Sequence, residues 1–118
     1  MLNFENSRTG DLTCSFQGRY LHSKYNPLRE AQQLIENFPK TKTCAAFFSF
    51  GLGYAPIEFA KKFPTLPLVI AEPDLDFVID ALNAIDWTPL FTHAQIVFAF
   101  GATEKETASL LERYGIKN

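Results

Sequence analysis

Two glycines and two carboxylates at a regular spacing are the residues of this chain best suited to chemistry. Gly51 and Gly53 follow one apolar run, and Glu72 and Asp74 follow the next. Glycine permits a tight turn and close approach of a ligand to the backbone, and the amides that open the following helix attract an anion. A carboxylate after the second strand accepts hydrogen bonds from ribose hydroxyls. The pattern predicts a nucleotide site at Gly51, Leu52 and Gly53, with the sugar at Glu72.

Only part of a dinucleotide-binding motif is present. Pro56 stands where the full motif carries a third small residue. Proline suits the first turn of a helix, where no amide donor is needed. A plain strand-to-helix turn without a ligand is therefore the alternative, and the carboxylate at position 72 is the feature that favours ligand binding.

A second polar cluster runs from Tyr20 to Pro27. His22 is a candidate general base or phosphate donor, Ser23 and Lys24 are candidates to hold a phosphate at a helix N-terminus, and Asn26 either caps that helix or binds. A simple capping turn with a partly buried histidine explains the same residues. The sequence leaves both interpretations open, and it identifies no catalytic residue.

The spacing of histidines, cysteines and carboxylates predicts neither a metal site nor a catalytic triad. Cys14 and Cys44 lack paired spacing, and Cys44 enters an apolar strand. Both are interpreted as reduced thiols, which is typical of the cytoplasm.

Length and composition restrict the function classes. The 118 residues, of which 47% are apolar, suit one modest core, so we predict a single domain over residues 1–118. The formal charge of -2, without a basic cluster, argues against nucleic acid and anionic membranes as partners. The apolar runs are strand-sized and the N-terminus lacks a signal-peptide core. We therefore expect a cytoplasmic protein.

Residues 1–25 are predicted to form a β-hairpin and a polar loop, with strands at residues 2–4 and 12–20. Residues 26–118 are predicted to form a helix followed by a βαβαβα series. The three continuously apolar strands are expected at 44–50, 66–71 and 95–100. A connector is expected at 87–93, and a capping box at Thr103 and Glu106 is expected to open a last helix ending near Tyr114 and Gly115.

Helical periodicity predicts which faces are buried. The residues expected to face inward on the first helix are Leu28, Ala31, Leu34, Ile35 and Phe38. Those expected to face inward on the helix capped by Asp74 are Leu75, Val78, Ile79, Leu82 and Ile85.

Alternating strands and helices favour right-handed crossovers, so we predict a Rossmann-like three-layer α/β fold with a small, mostly parallel sheet after the hairpin. Ligands of such sheets lie at the carboxyl ends of the strands, where the strand order reverses. The loops 51–54, 72–74 and 101–103 should converge there, with the base of a nucleotide near Pro73, Asp74 and the turn at 101–103.

Three segments together resemble a known family. They are Leu21-His22-Ser23-Lys24-Tyr25-Asn26-Pro27, Phe50-Gly51-Leu52-Gly53-Tyr54 and Ala71-Glu72-Pro73-Asp74. The chain resembles, from about residue 12 to 114, the amino-terminal region of the bacterial motility-associated factor proteins, which belong with hydroxymethylpterin pyrophosphokinase-like domains. The resemblance implies a glycosyltransferase that moves a nonulosonic acid from a CMP-activated donor to Ser or Thr of flagellin.

The same resemblance limits what this chain does alone. Members of the family are several times longer, and their catalytic core lies in a central domain that this sequence lacks. We therefore expect a fragment of a longer protein, at most part of a transferase. The residues that match the motifs are His22, Ser23, Asn26, Gly51, Gly53 and Glu72.

Two other function classes stay open on the sequence. A glycine turn followed by a carboxylate is also how S-adenosylmethionine-dependent methyltransferases hold adenosine. A non-catalytic interaction domain, pairing through an exposed sheet edge, is the other class. Because so small a core is only marginally stable, a dimer is expected.

Overall fold

The computed structural model describes residues 2–39, 41, 44–48 and 50–113. It begins with an antiparallel sheet of three strands, β1 (Leu2–Asn6), β2 (Leu12–Phe16) and β3 (Arg19–Tyr20), in the order β1-β2-β3. The predicted hairpin is confirmed, but the strand predicted at 12–20 is interrupted. Gln17 and Gly18 have φ values of 51° and 80°, and two positive φ values in succession make the tight turn that starts β3.

The rest of the described chain alternates helices and strands as predicted. The elements are α1 (Pro27–Glu36), β4 (Ala45–Phe48), α2 (Tyr54–Lys62), β5 (Leu68–Glu72), α3 (Leu75–Ala84), α4 (Thr88–Phe91), β6 (Ile96–Phe100) and α5 (Glu104–Arg113). The predictions that concern Ser49, Tyr114 and Gly115 lie outside the described residues. The predicted connector at 87–93 contains α4, whose first turn carries Pro89 and whose Thr88 N–H donates to Asp86 Oδ1 at 2.9 Å.

The second sheet is parallel and its strand order is β4-β5-β6. The expectation that the strand order reverses is wrong for the described sheet, because its neighbours follow chain order. The three carboxyl ends nevertheless lie along one edge, so the loops after the strands do approach one another.

The side chains of this sheet divide into two cores, which confirms the three layers. On one face, Leu68 and Ile70 of β5 pack with Phe59 of α2 and Leu90 of α4. On the other face, Val69 packs with Leu111 of α5. Alternate residues of a strand point to opposite faces, so a continuously apolar β5 is the expected result of cover on both sides.

Three predicted caps are formed. Asn26 Oδ1 accepts from Arg29 N–H at 3.0 Å and opens α1, and Asp74 Oδ1 accepts from Asp76 N–H at 3.0 Å and opens α3. At α5, Thr103 and Glu106 exchange both hydrogen bonds of a capping box at 3.1 Å. Each cap satisfies an amide that has no partner inside its helix.

The predicted inward face of α3 is confirmed at Val78 and wrong at Leu75, Ile79 and Leu82. Leu75 and Ile79 are each 54% exposed and Leu82 is 40% exposed, whereas Val78 and Ala81 are buried. Phe77 meets Phe16 of the N-terminal sheet, with ring centroids 5.1 Å apart. Because α3 packs on two neighbours through residues 77, 78 and 81, the helix is rotated and Leu75, Ile79 and Leu82 face outward.

The periodicity also predicts that Leu34 of α1 faces inward. This is wrong, since its side chain is 57% exposed. The buried residues of α1 are Pro27, Ala31 and Ile35, which follow one another at a spacing of four. A helix that packs along one such row buries a narrower stripe than the sequence pattern suggests.

Candidate functional site

The carboxyl edge of the parallel sheet brings the predicted loops together. Gly101 N–H, after β6, donates to the Glu72 carbonyl at the end of β5 at 2.8 Å. The Glu72 side chain is only 5% exposed, and its Oε2 accepts from Asp74 N–H at 3.0 Å. Within the described part of the chain, Oε1 has no hydrogen-bond partner. Among these residues, one carboxylate oxygen of Glu72 is left for a hydroxyl donor.

The two glycines of the turn after β4 adopt left-handed conformations, with φ of 63° at Gly51 and 102° at Gly53. A Cβ atom on Gly51 would lie 2.5 Å from His22 Nε2, and one on Gly53 would lie 3.1 Å from the ring of Trp87. The space beside each glycine is thus filled by a side chain of the protein. Both glycines are required by conformation and by close approach.

Leu52, between the glycines, is fully buried and held by the same two side chains. Its N–H donates to His22 Nε2 at 2.8 Å, and its carbonyl accepts from Trp87 Nε1 at 2.9 Å. We call His22, Gly51, Leu52, Gly53 and Trp87 the glycine-turn clamp. Since the Leu52 amide is engaged, a phosphate could bind it only after His22 moves. The assignment of a phosphate to this turn stays a prediction.

His22 also joins the two sheets. Its carbonyl accepts from Thr13 Oγ1 of β2 at 3.2 Å, and its ring meets Tyr54 edge to face with centroids 5.1 Å apart. Tyr54 Oη in turn donates to the Leu12 carbonyl, and burial raises the pKa of this phenol to about 12, so it keeps its proton. The N-terminal sheet is consequently fastened to the α/β layers at the glycine turn.

Burial lowers the pKa of His22 from 6.5 to about 4. The imidazole is therefore neutral at pH 7, and because Nε2 accepts the Leu52 amide, its proton is on Nδ1. An imidazole whose basic nitrogen is already used is a poor general base. In this arrangement His22 acts as a structural acceptor.

This pKa predicts a pH-dependent stability. An unfolded chain protonates His22 below about pH 6.5, whereas the folded protein does so only near 4. Protonation in this window favours the unfolded state, so the free energy of unfolding should fall as pH drops from 6.5 to 4, by up to about 1.4 kcal/mol per pH unit. Urea unfolding of the wild type and His22→Gln at several pH values measures the difference. A difference that does not change with pH would contradict the neutral, buried imidazole.

Ser23 and Asn26 form local hydrogen bonds. Ser23 Oγ accepts from Tyr25 N–H and Asn26 N–H, both at 3.1 Å, and Ser23 N–H donates to Glu30 Oε1 at 3.1 Å. With the Asn26 cap already described, this is the capping turn that the sequence left open as one interpretation. The structure does not place either side chain next to Glu72, and a ligand role for them stays a prediction.

A cleft of about 490 Å³ opens at the carboxyl edge, on the sheet face covered by α5. Its lining is mostly apolar and includes Pro73 and Ala102. These residues belong to the two loops near which the sequence predicts the base of a nucleotide. The other lining residues are Phe48, Ala71, Glu104, Thr107, Ala108 and Leu111. Glu72 is not among the lining residues, because it follows Ala71 in β5 and its side chain lies on the same sheet face as Ile70. The mostly apolar cleft itself suits a flat heterocycle.

Sequence reasoning missed the structural role of Trp87. Its indole is 2% exposed and its ring centroid lies 5.2 Å from that of Phe50 and 6.0 Å from that of Phe100. Trp87 is the single tryptophan of the chain, which was a signal that the position is special. Nothing in the spacing, however, connects it to a turn 35 residues earlier.

The described residues form neither a metal cluster nor a membrane-spanning helix. No group of three or more His, Cys, Asp or Glu side chains among them lies close enough to hold a metal ion. No helix formed by these residues is long and apolar enough to cross a bilayer.

Comparison with known proteins gives one family and one relative. A family model described as the glycosyltransferase Maf N-terminal domain matches residues 3–114. An uncharacterized protein of Treponema pallidum (strain Nichols) is 33% identical over 110 residues, which are 90% of this chain and 38% of the relative. The chain thus spans well under half of that protein. No solved structure is significantly similar to the chain.

Proposed function

Because the chain belongs to the family of glycosyltransferase Maf N-terminal domains, we propose that it is the nucleotide-binding N-terminal module of a transferase that modifies flagellin. The donor in this proposal is a CMP-activated nonulosonic acid. The module has no catalytic activity of its own, works in the cytoplasm and meets flagellin only through the full-length protein. A kinship with hydroxymethylpterin pyrophosphokinase-like domains stays a prediction.

The observation that carries the nucleotide part is the mostly apolar cleft at the carboxyl ends of β5 and β6, between the loops that hold Pro73 and Ala102. The pyrimidine of CMP would lie in the cleft against Pro73 and Ala102. Its ribose would extend over the end of β5, where a hydroxyl would donate to Glu72 on the other face of the sheet. This placement leaves the glycine-turn clamp intact. The phosphate lies outside the turn, so His22 does not have to move.

Isothermal titration of the 118-residue chain tests this proposal. The ligands are CMP, CTP, ATP, GTP and S-adenosylhomocysteine. We expect CMP and CTP to bind, and Glu72→Gln to weaken them by about tenfold or more, the worth of a charge-assisted hydrogen bond of about 1.5 to 3 kcal/mol. Asp80→Asn, on the outer side of α3, removes the same charge away from the cleft and should bind as the wild type does.

Three results would count against the proposal. Equal affinity of Glu72→Gln and wild type for CMP would rule out the proposed contact between Glu72 and the ribose. Selective binding of S-adenosylhomocysteine would favour a methyltransferase-like domain. If no ligand gives a heat of binding, the result would favour an interaction domain that binds no nucleotide.

A further inference from the structure

The outward face of α3 has the composition of an interface. Leu75, Ile79 and Leu82 stand at i, i+4 and i+7, which aligns them in one stripe along the helix. Their exposed fractions are 54%, 54% and 40%. Single exposed apolar residues are ordinary, but three in a row on one helix make a continuous patch.

Charge on α3 and its flanking residues is of one sign, although Lys61 of α2 lies near Asp86. The pKa of Asp86 is lowered by hydrogen bonds from Thr88 and also by Lys61. The segment from Pro73 to Trp87 contains Asp74, Asp76, Asp80 and Asp86 and no lysine or arginine. All of these except Asp80 are exposed, and Asp80 is partly exposed. Two copies of α3 packed together would bring like charges face to face, which is unfavourable. The acidic border instead suits a partner of opposite charge.

We propose that this stripe is a docking site for an amphipathic helix of a partner protein, with basic residues along one side of its apolar face. An apolar row inserted against Leu75, Ile79 and Leu82 is recognition of a helix by its i, i+3, i+4 and i+7 side chains. Lysines or arginines along one border of that helix would face Asp76 and Asp80, which lie on the same side of the stripe, and there they add specificity and speed association.

The site continues to the carboxyl edge of the sheet. A Cβ atom on Gly101 would lie 3.2 Å from the Leu75 side chain, so the stripe begins beside the turn at 101–103. A helix bound along α3 would therefore end next to Glu72 and the cleft. This proposal does not depend on nucleotide binding, because the stripe and its charges are present without a ligand.

A pair of synthetic peptides tests the proposal. Each has about 18 residues, enough to form a helix, with the same leucine stripe and a fluorescent label. One carries lysines beside the stripe and the other glutamates. By fluorescence anisotropy we expect the lysine peptide to bind, Ile79→Asp to weaken it about tenfold or more, and Asp76→Asn with Asp80→Asn to weaken it and reduce its salt dependence.

The matched control is Leu34→Asp, a change of the same kind at an equally exposed residue of α1. It should bind the lysine peptide as the wild type does, and circular dichroism checks that each variant is folded. Binding that Ile79→Asp leaves unchanged, or equal binding of both peptides, would overturn the proposal. A wild-type dimer that Ile79→Asp converts to a monomer would do so as well, because a second copy would then cover the stripe.

Discussion

Trp87→Ala is expected to lower the free energy of unfolding by about 4 kcal/mol or more. Removing a buried tryptophan side chain costs about 3 to 5 kcal/mol, and the Leu52 carbonyl loses its donor in a buried place, which adds about 1 to 3 kcal/mol. Small domains have only about 5 to 15 kcal/mol in total. The expected loss is therefore a large part of the total stability. Urea unfolding followed by circular dichroism measures the effect.

Two further variants separate the causes. Trp87→Phe keeps an aromatic ring against Phe50 and Phe100 but removes Nε1. It should therefore lower the free energy of unfolding only by the cost of the lost hydrogen bond, about 1 to 3 kcal/mol. Phe91→Ala removes a neighbouring ring that is 58% exposed and should cost less than about 1 kcal/mol. If Trp87→Ala costs no more than Phe91→Ala, Trp87 does not hold the glycine turn.

Gly51→Ala is expected to lower the free energy of unfolding by about 2 to 5 kcal/mol. A left-handed conformation costs a residue with a Cβ about 1 to 2 kcal/mol. The new atom would also stand 2.5 Å from His22 Nε2, so the imidazole must move and the buried Leu52 amide loses its acceptor. That loss costs about 1 to 3 kcal/mol. Chemical unfolding at pH 7 gives the total.

Gly18→Ala is the matched control, because Gly18 also has a positive φ, 80°, but no atom lies within 4 Å of its Cβ position. The loss of stability in Gly18→Ala measures the backbone cost alone, so it should be smaller than the loss in Gly51→Ala. In a double-mutant cycle, Gly51→Ala should cost less when His22 is already alanine, since the collision is then absent. Additive costs would show that Gly51 and His22 do not act on each other.

Most of the fold was predictable because its signals are local. The continuously apolar strands, the proline in the first turn of α1 and the capping residues Asn26, Asp74 and Thr103 each express a preference of a short segment. Alternation of strands and helices then restricts the topology. These signals do not specify the strand order, because another strand could pair with either edge of β4.

Which side chains of α3 are buried was not predictable from such local signals. The periodicity of Leu75, Ile79 and Leu82 identifies an apolar face but not its neighbour. The N-terminal sheet contacts α3 through Phe16 and Phe77, and the sequence does not indicate this contact. A helix with more apolar residues than its neighbours can cover leaves some of them outside.

The ligand role of the candidate site residues stays a prediction, and their arrangement did not follow from the sequence. The glycine turn and Glu72 follow from spacing, but the approach of His22 to Gly51 depends on how a loop 30 residues earlier folds back. The glycines were expected to make room for a ligand. In the structure they make room for His22 and Trp87, and the cleft beside Pro73 provides the open space.

A ¹H–¹⁵N correlation spectrum of the labelled chain, recorded while CMP is added, tests most directly whether the module binds a nucleotide at its carboxyl edge. We predict that the amide signals of Asp74, Gly101 and Ala102 shift and saturate together, while the Leu52 amide, bonded to His22, stays in place. A spectrum that does not change at millimolar CMP, or shifts centred on Leu52 and Gly53, would contradict the account.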